Sequence, residues 1–241
     1  MVPGQVPAFA SADIVVNGAD IEGVILQPLA PATITGRLVG DPATLANLDP
    51  SKLRLMAAPA GPQMMAGPPP PPQPVGADLT FSIQAAPGMA FIRGVTPPLL
   101  IRSIRAEGRD IMRGIEIAAG GRLGDVEVEI TTASAKLVVT ALDGRGAPAA
   151  DHDIVVFTQD EDGWGVPLPG HGATGRTNDD GTLDVSTLLP GAYYVALADD
   201  IHLDLGDAND PEILATLRAR AQRITLGDGE TATVSLRTGG R

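Results

Sequence analysis

Three histidines, His152, His171 and His202, and several runs of acidic residues are the side chains of this sequence with the most scope for chemistry. A catalytic zinc needs three convergent ligands braced by further hydrogen bonds. These histidines lie apart without a ligand motif, so no metal site is expected from them. His152, between Asp151 and Asp153, reads as a solvated loop histidine. Calcium prefers oxygen ligands, and Asp160-Glu161-Asp162-Gly163, Asn178-Asp179-Asp180 and Asp204 to Asp210 are dense in them. None matches a calcium-binding helix–loop–helix. Solvated acidic turns are the plainer reading, and calcium is the one cofactor left to weigh. Trp164, the only tryptophan, lies beside Gly163 and Gly165, with His171 close in sequence. Such a group can make a sugar-stacking platform on an exposed loop, though a lone tryptophan also serves simply to pack. Tyr193 and Tyr194 point to opposite sides of one strand, so one belongs to a core and the other to the surface. Trp164, His171 and Tyr194 are the candidate ligand contacts. No catalytic residue is expected, because no serine sits in a nucleophile elbow.

What has to position these residues is a β framework. Gly 29 and Pro 22 are spread along 241 residues, and aromatics make up only 3%. Many short strands joined by turns, with Val, Ile, Leu and Ala filling the cores, fit that composition. The formal net charge is −12 and the only lysines are Lys52 and Lys136. An acidic surface of this kind repels polyphosphate, so nucleic acid is excluded as a partner. Cysteine is absent, which rules out a disulfide framework and thiolate metal sites. No segment approaches the apolar length needed to span a bilayer as a helix. Met1-Val2-Pro3-Gly4 lacks the basic start of a signal peptide, and the chain is expected to be a piece of something longer.

Residues 1–31 read as a Pro- and Ala-rich linker followed by a partial strand or hairpin, with Asn17-Gly18 as its turn. A first sandwich is expected over 32–131. Its strands begin at Thr33, Lys52, Asp78, Met89 and Leu99, and it closes at Val126 to Ile130. Asp41 to Pro50 reads as a loop. The run Pro68 to Pro72 cannot donate ladder hydrogen bonds and reads as a polyproline excursion. A second sandwich is expected over 132–241, with strands at Lys136 to Leu142, Ile154 to Thr158 and Thr231 to Arg237. Gln159 to Arg176 reads as one long Gly-rich loop. Thr177 to Leu197 reads as turn, strand, turn and strand, a hairpin at the centre of this half. Asp210-Pro211-Glu212 opens one short helix with Ile213, Leu214 and Leu217 on its apolar face. The two halves share this order of parts, an internal repeat of roughly 100 residues.

LVVTALDGRGAPAADHDIVVF (137–157) and TNDDGTLDVSTLLPGAYYVAL (177–197) resemble the carboxypeptidase regulatory-like, or transthyretin-like, β-sandwich. Asn178-Asp179-Asp180-Gly181 stands at its D-G turn and Leu189-Pro190-Gly191-Ala192-Tyr193 at its L-x-P-G-x-Y strand. Ala149 and Asp151 depart from the small pair usual before the second strand. Over residues 32–130 the resemblance is weaker, lacking the D-G turn and the tyrosine. PEILATLRARAQRITLGDGETATVSLR (211–237) looks like the end of large multidomain bacterial envelope proteins, and residues 13–27 resemble the closing strand of a further upstream module. The resemblance implies a secreted or cell-envelope setting and no catalytic activity. The metallocarboxypeptidases that carry such modules bind zinc through H-x-x-E, which none of the histidines here begins. The transthyretin-like ureide hydrolases end in Tyr-Arg-Gly-Ser, unlike Arg237-Thr238-Gly239-Gly240-Arg241. Self-crosslinking sandwiches need a lysine on the first strand and Asn or Asp on the last; Lys136 has no such partner in Thr231 to Arg237.

The sequence therefore reads as all-β: two tandem immunoglobulin-like (prealbumin-like) sandwiches with one short helix in the C-terminal region. The expected role is a non-catalytic structural or assembly module of a larger repeat protein, with protein or self-association as its binding mode. The alternative is a carbohydrate- or protein-binding module.

Overall fold

The computed structural model describes residues 10, 14–18, 20–21, 23–59, 70–95, 98–166, 168–199, 201 and 207–238. His202, Pro68, Pro69 and most of the linker-like residues 1–12 lie outside them. The chain divides into two compact units, residues 1–96 with 103–130 and residues 97–102 with 131–241.

Among the described residues nine strands precede residue 132: β1 (Ala32–Gly40), β2 (Arg54–Pro59), β3 (Gln73–Pro74), β4 (Thr80–Ala85), β5 (Gly88–Arg93), β6 (Leu100–Ala106), β7 (Arg109–Asp110), β8 (Ile115–Ile117) and β9 (Arg122–Thr131). They form two sheets, ordered β4-β1-β9-β6-β7 and β3-β2-β5-β8. The alternation along each strand explains the layering, because every second residue points to one side. Ile34 and Leu38 of β1, Ile83 of β4, and Val126, Val128 and Ile130 of β9 are buried, as are Leu55, Ala57, Ala90 and Ile92 from the other sheet.

The second set is β10 (Ala135–Leu142), β11 (Asp153–Thr158), β12 (Gly172–Arg176), β13 (Thr182–Leu188), β14 (Gly191–Leu197), β15 (Gln222–Leu226) and β16 (Thr231–Arg237). Its sheets are β13-β10-β16 and β12-β11-β14-β15. Leu137, Val139, Ile154, Val156, Tyr193, Val195 and Val234 meet in the core between them.

The repeat extends to topology. In each unit the opening strand pairs antiparallel with one neighbour, β4 or β13, and parallel with the closing strand, β9 or β16. In each, the second sheet runs antiparallel through β2-β5-β8 or β11-β14-β15. The units differ in what is inserted after the fifth shared strand: β6 and β7 in one, a helix in the other.

Four expectations need correction. First, β13 and β14 are not a hairpin. β13 pairs with β10 and β14 with β11 and β15, so Leu189-Pro190 carries the chain from one sheet to the other. Second, Gln159 to Arg176 is not all loop, because β12 pairs along β11. Third, there are two helices among the described residues, α1 (Pro42–Ala46) and α2 (Pro211–Arg218). The Asp41 carboxylate accepts from the Thr44 amide at 2.9 Å and its hydroxyl at 2.6 Å, turning the expected loop into a capped helix. Those bonds hold the Asp41 carboxyl below the usual range. Fourth, Tyr193 and Tyr194 are both buried, because α2 covers the outer face of the β12-β11-β14-β15 sheet.

Tyr193 pins the crossing between the sheets. Its hydroxyl lies 2.6 Å from the Leu189 carbonyl oxygen, to which it donates, and 3.0 Å from that of Gly170. Burial pushes the phenol's pKa up. The unfolded chain gives up this proton above about pH 10 while the folded chain keeps it, so stability is full below that pH and lost as pH rises further. The loss is at most about 1.4 kcal/mol per pH unit. Tyr193→Phe is expected to cost about 1–2 kcal/mol at neutral pH and to flatten the alkaline decline. Urea midpoints taken from neutral to strongly alkaline pH check this, and parallel profiles for the two proteins would contradict it.

Candidate functional site

The candidate contacts lie on the outer face of the β12-β11-β14-β15 sheet. β11 ends at Thr158, and a short 3-10 turn, Glu161–Gly163, leads into Trp164. The Trp164 amide donates to the Glu161 carbonyl at 3.1 Å, and its indole N–H donates to the Thr158 carbonyl at 2.9 Å. Its ring meets Phe157 edge-on with centroids 5.7 Å apart, and Phe157 meets Tyr194 at 5.3 Å. Such contacts contribute about 0.5–1.5 kcal/mol each beyond the area they bury. The Arg218 guanidinium sits 5.9 Å from the Trp164 ring and pairs with Glu161, while that of Arg223 sits 5.6 Å from the Tyr194 ring. Leu214 and Leu217 of α2 complete this second core with Val155, Ala196 and Ala198.

The structure brings Trp164 and His171 together in the wall of one cavity of about 340 Å³, with Phe157, Leu168, Thr174 and Leu214. Tyr194 is not part of that wall. It is 6% exposed, with Phe157 packed against it.

A second, charged group was not legible in the sequence. His152 Nδ1 is 2.7 Å from Asp199, which also accepts the Asp153 amide at 2.7 Å. Arg176 donates to both oxygens of Asp153 at 3.0 and 2.9 Å. The hydrogen bond and charge of Asp153 raise the Arg176 pKa. His152 and Asp199 come from distant segments, and only the pairing of β11 with β14 joins them. His152 and Asp153 are half-buried while Asp199 and Arg176 are exposed, so water screens these pairs and they add little to stability. They line an open groove with Asp143, Arg220 and Arg237.

Of the acidic turns weighed for calcium, residues 204–206 lie outside the described residues, Glu161 pairs with Arg218, and the Asn178 turn, like that at Asp143, is engaged in its own backbone. Asn178 Oδ1 accepts from the Asp180 amide and from both the amide and hydroxyl of Thr182. Asp143 Oδ1 accepts from the amides of Arg145 and Ala147. Among the described residues no group of three or more His, Cys, Asp or Glu side chains could hold a metal ion. Lys136 is exposed and lies in register with Thr231.

No family model matches this chain, and no curated protein matches it. Among solved structures it is similar to the Bacillus anthracis TIE protein, with 11% identity, a TM-score of 0.32, and coverage of 98% of this chain and 40% of that one. It is also similar to a streptococcal ancillary pilin, at 13% identity and a TM-score of 0.34, covering 98% and 73% of the two chains. For GBS52, the minor pilin of Streptococcus agalactiae, the values are 10%, 0.36, 86% and 94%. This chain thus spans less than half the length of the first of these. The strand pairings, not these distant likenesses, define the fold. No helix among the described residues is long and apolar enough to cross a membrane.

Proposed function

We propose that this chain is a non-catalytic structural module of a secreted or cell-envelope protein, a spacer and assembly unit built from two β-sandwiches, the second of them carboxypeptidase regulatory-like. The observation that carries the reading is the parallel pairing of opening and closing strands in both units. In β10 and β16 the register runs from Lys136 opposite Thr231 to Leu142 opposite Arg237. The chain therefore enters a unit at one end of this ladder and leaves at the other. Tension along the chain pulls the two strands past each other and loads their hydrogen bonds together rather than one after another. A unit arranged in this way is a spacer that resists force. Side chains able to do chemistry are meanwhile bound into the fold: the Trp164 N–H, the Asn178 oxygen, the Tyr193 hydroxyl and the Asp199 carboxylate each hold a backbone group.

Single-molecule pulling tests this. Force applied through the two chain ends is expected to unfold each unit at a much higher load than force applied across the strands of the same unit. Equal loads in the two directions would contradict the spacer role.

The cavity beside Trp164 and His171 favours a second reading, a carbohydrate- or other small-ligand module. A sugar stacking on Trp164 would have to displace Arg218. Glycan binding that is unchanged by Trp164→Ala would remove this reading.

A further inference from the structure

The cavity beside Trp164 exists because of what β12 lacks. Thr174 and Gly172 stand opposite Val155 and Phe157 in the ladder with β11, so they share the outer face of the sheet with them. Gly172 has no side chain to fill that face, and none fits. A Cβ there would lie 2.7 Å from the Val156 carbonyl oxygen. The space beside Phe157 is walled instead by Leu214 of α2 and by the loop that carries Trp164, Leu168 and His171.

Backbone hydrogen bonds brace that loop, so the cavity is built into the fold. The Gly165 amide donates to the Asn209 carbonyl at 2.7 Å, and the His171 amide to that of Leu168 at 3.1 Å. The Gly170 carbonyl accepts from the Leu189 amide at 2.8 Å and from the Tyr193 hydroxyl at 3.0 Å. Packed interiors hold few voids larger than a water molecule. A volume of about 340 Å³ falls instead in the range of small-molecule sites. Trp164, Val166, Leu168 and His171 are half-buried, which puts the mouth at this loop.

The wall decides the class of ligand. Among the described residues it carries no Asp, Glu, Lys or Arg, so it supplies no counter-ion for a charged molecule. Phe157, Val166, Leu168, Pro169 and Leu214 make it mainly apolar, and Thr174, His171 and Asn209 add a few polar groups. A sugar carries hydroxyls all round, and each one taken from water needs a partner that most of this wall lacks. About 150 Å³ is enough for benzene, so this cavity has room for two fused rings. We propose that it binds an uncharged, mainly apolar two-ring compound bearing one hydrogen-bonding group. The proposal rests on the small-ligand reading given second above, and it names the ligand class.

Isothermal titration of the full 241-residue chain with 2-naphthol, and separately with methyl β-glucoside, tests this. 2-Naphthol is expected to saturate one site, and 2-naphthoate, similar in size but anionic, to bind at least about 10-fold more weakly. Thr174→Phe, at an exposed position of β12, fills the cavity and should weaken 2-naphthol at least about 10-fold. Val166→Trp fills it from the loop and repeats the test should the first variant not fold. Saturation that neither substitution affects overturns this site, and equal binding of 2-naphthol and 2-naphthoate overturns the uncharged ligand. Binding of the glucoside alone overturns the ligand class and leaves the small-ligand reading standing. Binding of none of the three overturns both and leaves the spacer role untouched.

Discussion

Gly36→Val is expected to destabilise the first sandwich by about 3 kcal/mol or more, the upper end of what overpacking costs. The register between β1 and β9 shifts between Ile34 and Gly36, and the chain takes φ of +53° at Asp125 to make room. A Cβ on residue 36 would lie 2.0 Å from the Val126 carbonyl oxygen and 2.8 Å from Phe81 Cζ. The nearest obstacle is backbone in a central strand, which cannot swing aside as a flexible side chain can. Relief requires β1 and β9 to separate, which is the pairing the spacer role depends on. Urea unfolding followed by circular dichroism should show the loss. Trp164, in the other unit, should keep its own transition by fluorescence. An unchanged dichroism midpoint would mean that the two strands do not approach so closely.

Leu217→Ala is the counterpart in the second unit, with an expected loss of about 3 kcal/mol, within the range for leucine truncated in a core. Leu217 is 0% exposed and packs with Val155, Phe157, Tyr194 and Ala196 on the outer face of the sheet. Because Trp164 borders the same cluster, its emission should shift to the red as water gains access. Thr216→Ala, one residue away on the exposed side of α2, should stay within about 0.5 kcal/mol. Equal effects of the two substitutions would mean that α2 does not cover the sheet.

Much of the framework was legible because period-2 alternation states a buried face. Leu137, Val139 and Ala141 alternate along β10 with polar or half-buried neighbours, and all three are fully buried. Alternation does not say which sheet a strand joins. Pro190-Gly191 therefore looks like a hairpin turn although β13 and β14 lie in different layers. β12, GATGR, carries no strand pattern. At Gly172 a Cβ would come within 2.7 Å of the Val156 carbonyl oxygen, so the strand exists by close approach to β11 and not by side-chain preference. The helices were half legible. Asp41-Pro42, Asp49-Pro50 and Asp210-Pro211 each open a helical turn with the aspartate as cap, and only the last is followed by an apolar pattern long enough to read. At the site, the nearness of Trp164 and His171 followed from their shared loop. The burial of Tyr194 did not, because it depends on a helix arriving from later in the chain.

The chain has no cysteine, so a single engineered pair reports without interference. Val138 and Thr233 are partners in the parallel ladder of β10 and β16, and neighbouring strands lie roughly 4.8 Å apart, within the span of a disulfide. The decisive measurement is end-to-end pulling of the V138C/T233C chain, reduced and then oxidised. If the opening and closing strands carry the load, the reduced chain will yield at high force with the full extension of the second unit. In the oxidised chain, the residues enclosed by the cross-link will no longer extend. A reduced chain that gives way at low force, or a pair that fails to cross-link in the folded protein, would contradict the parallel ladder as the element that bears force.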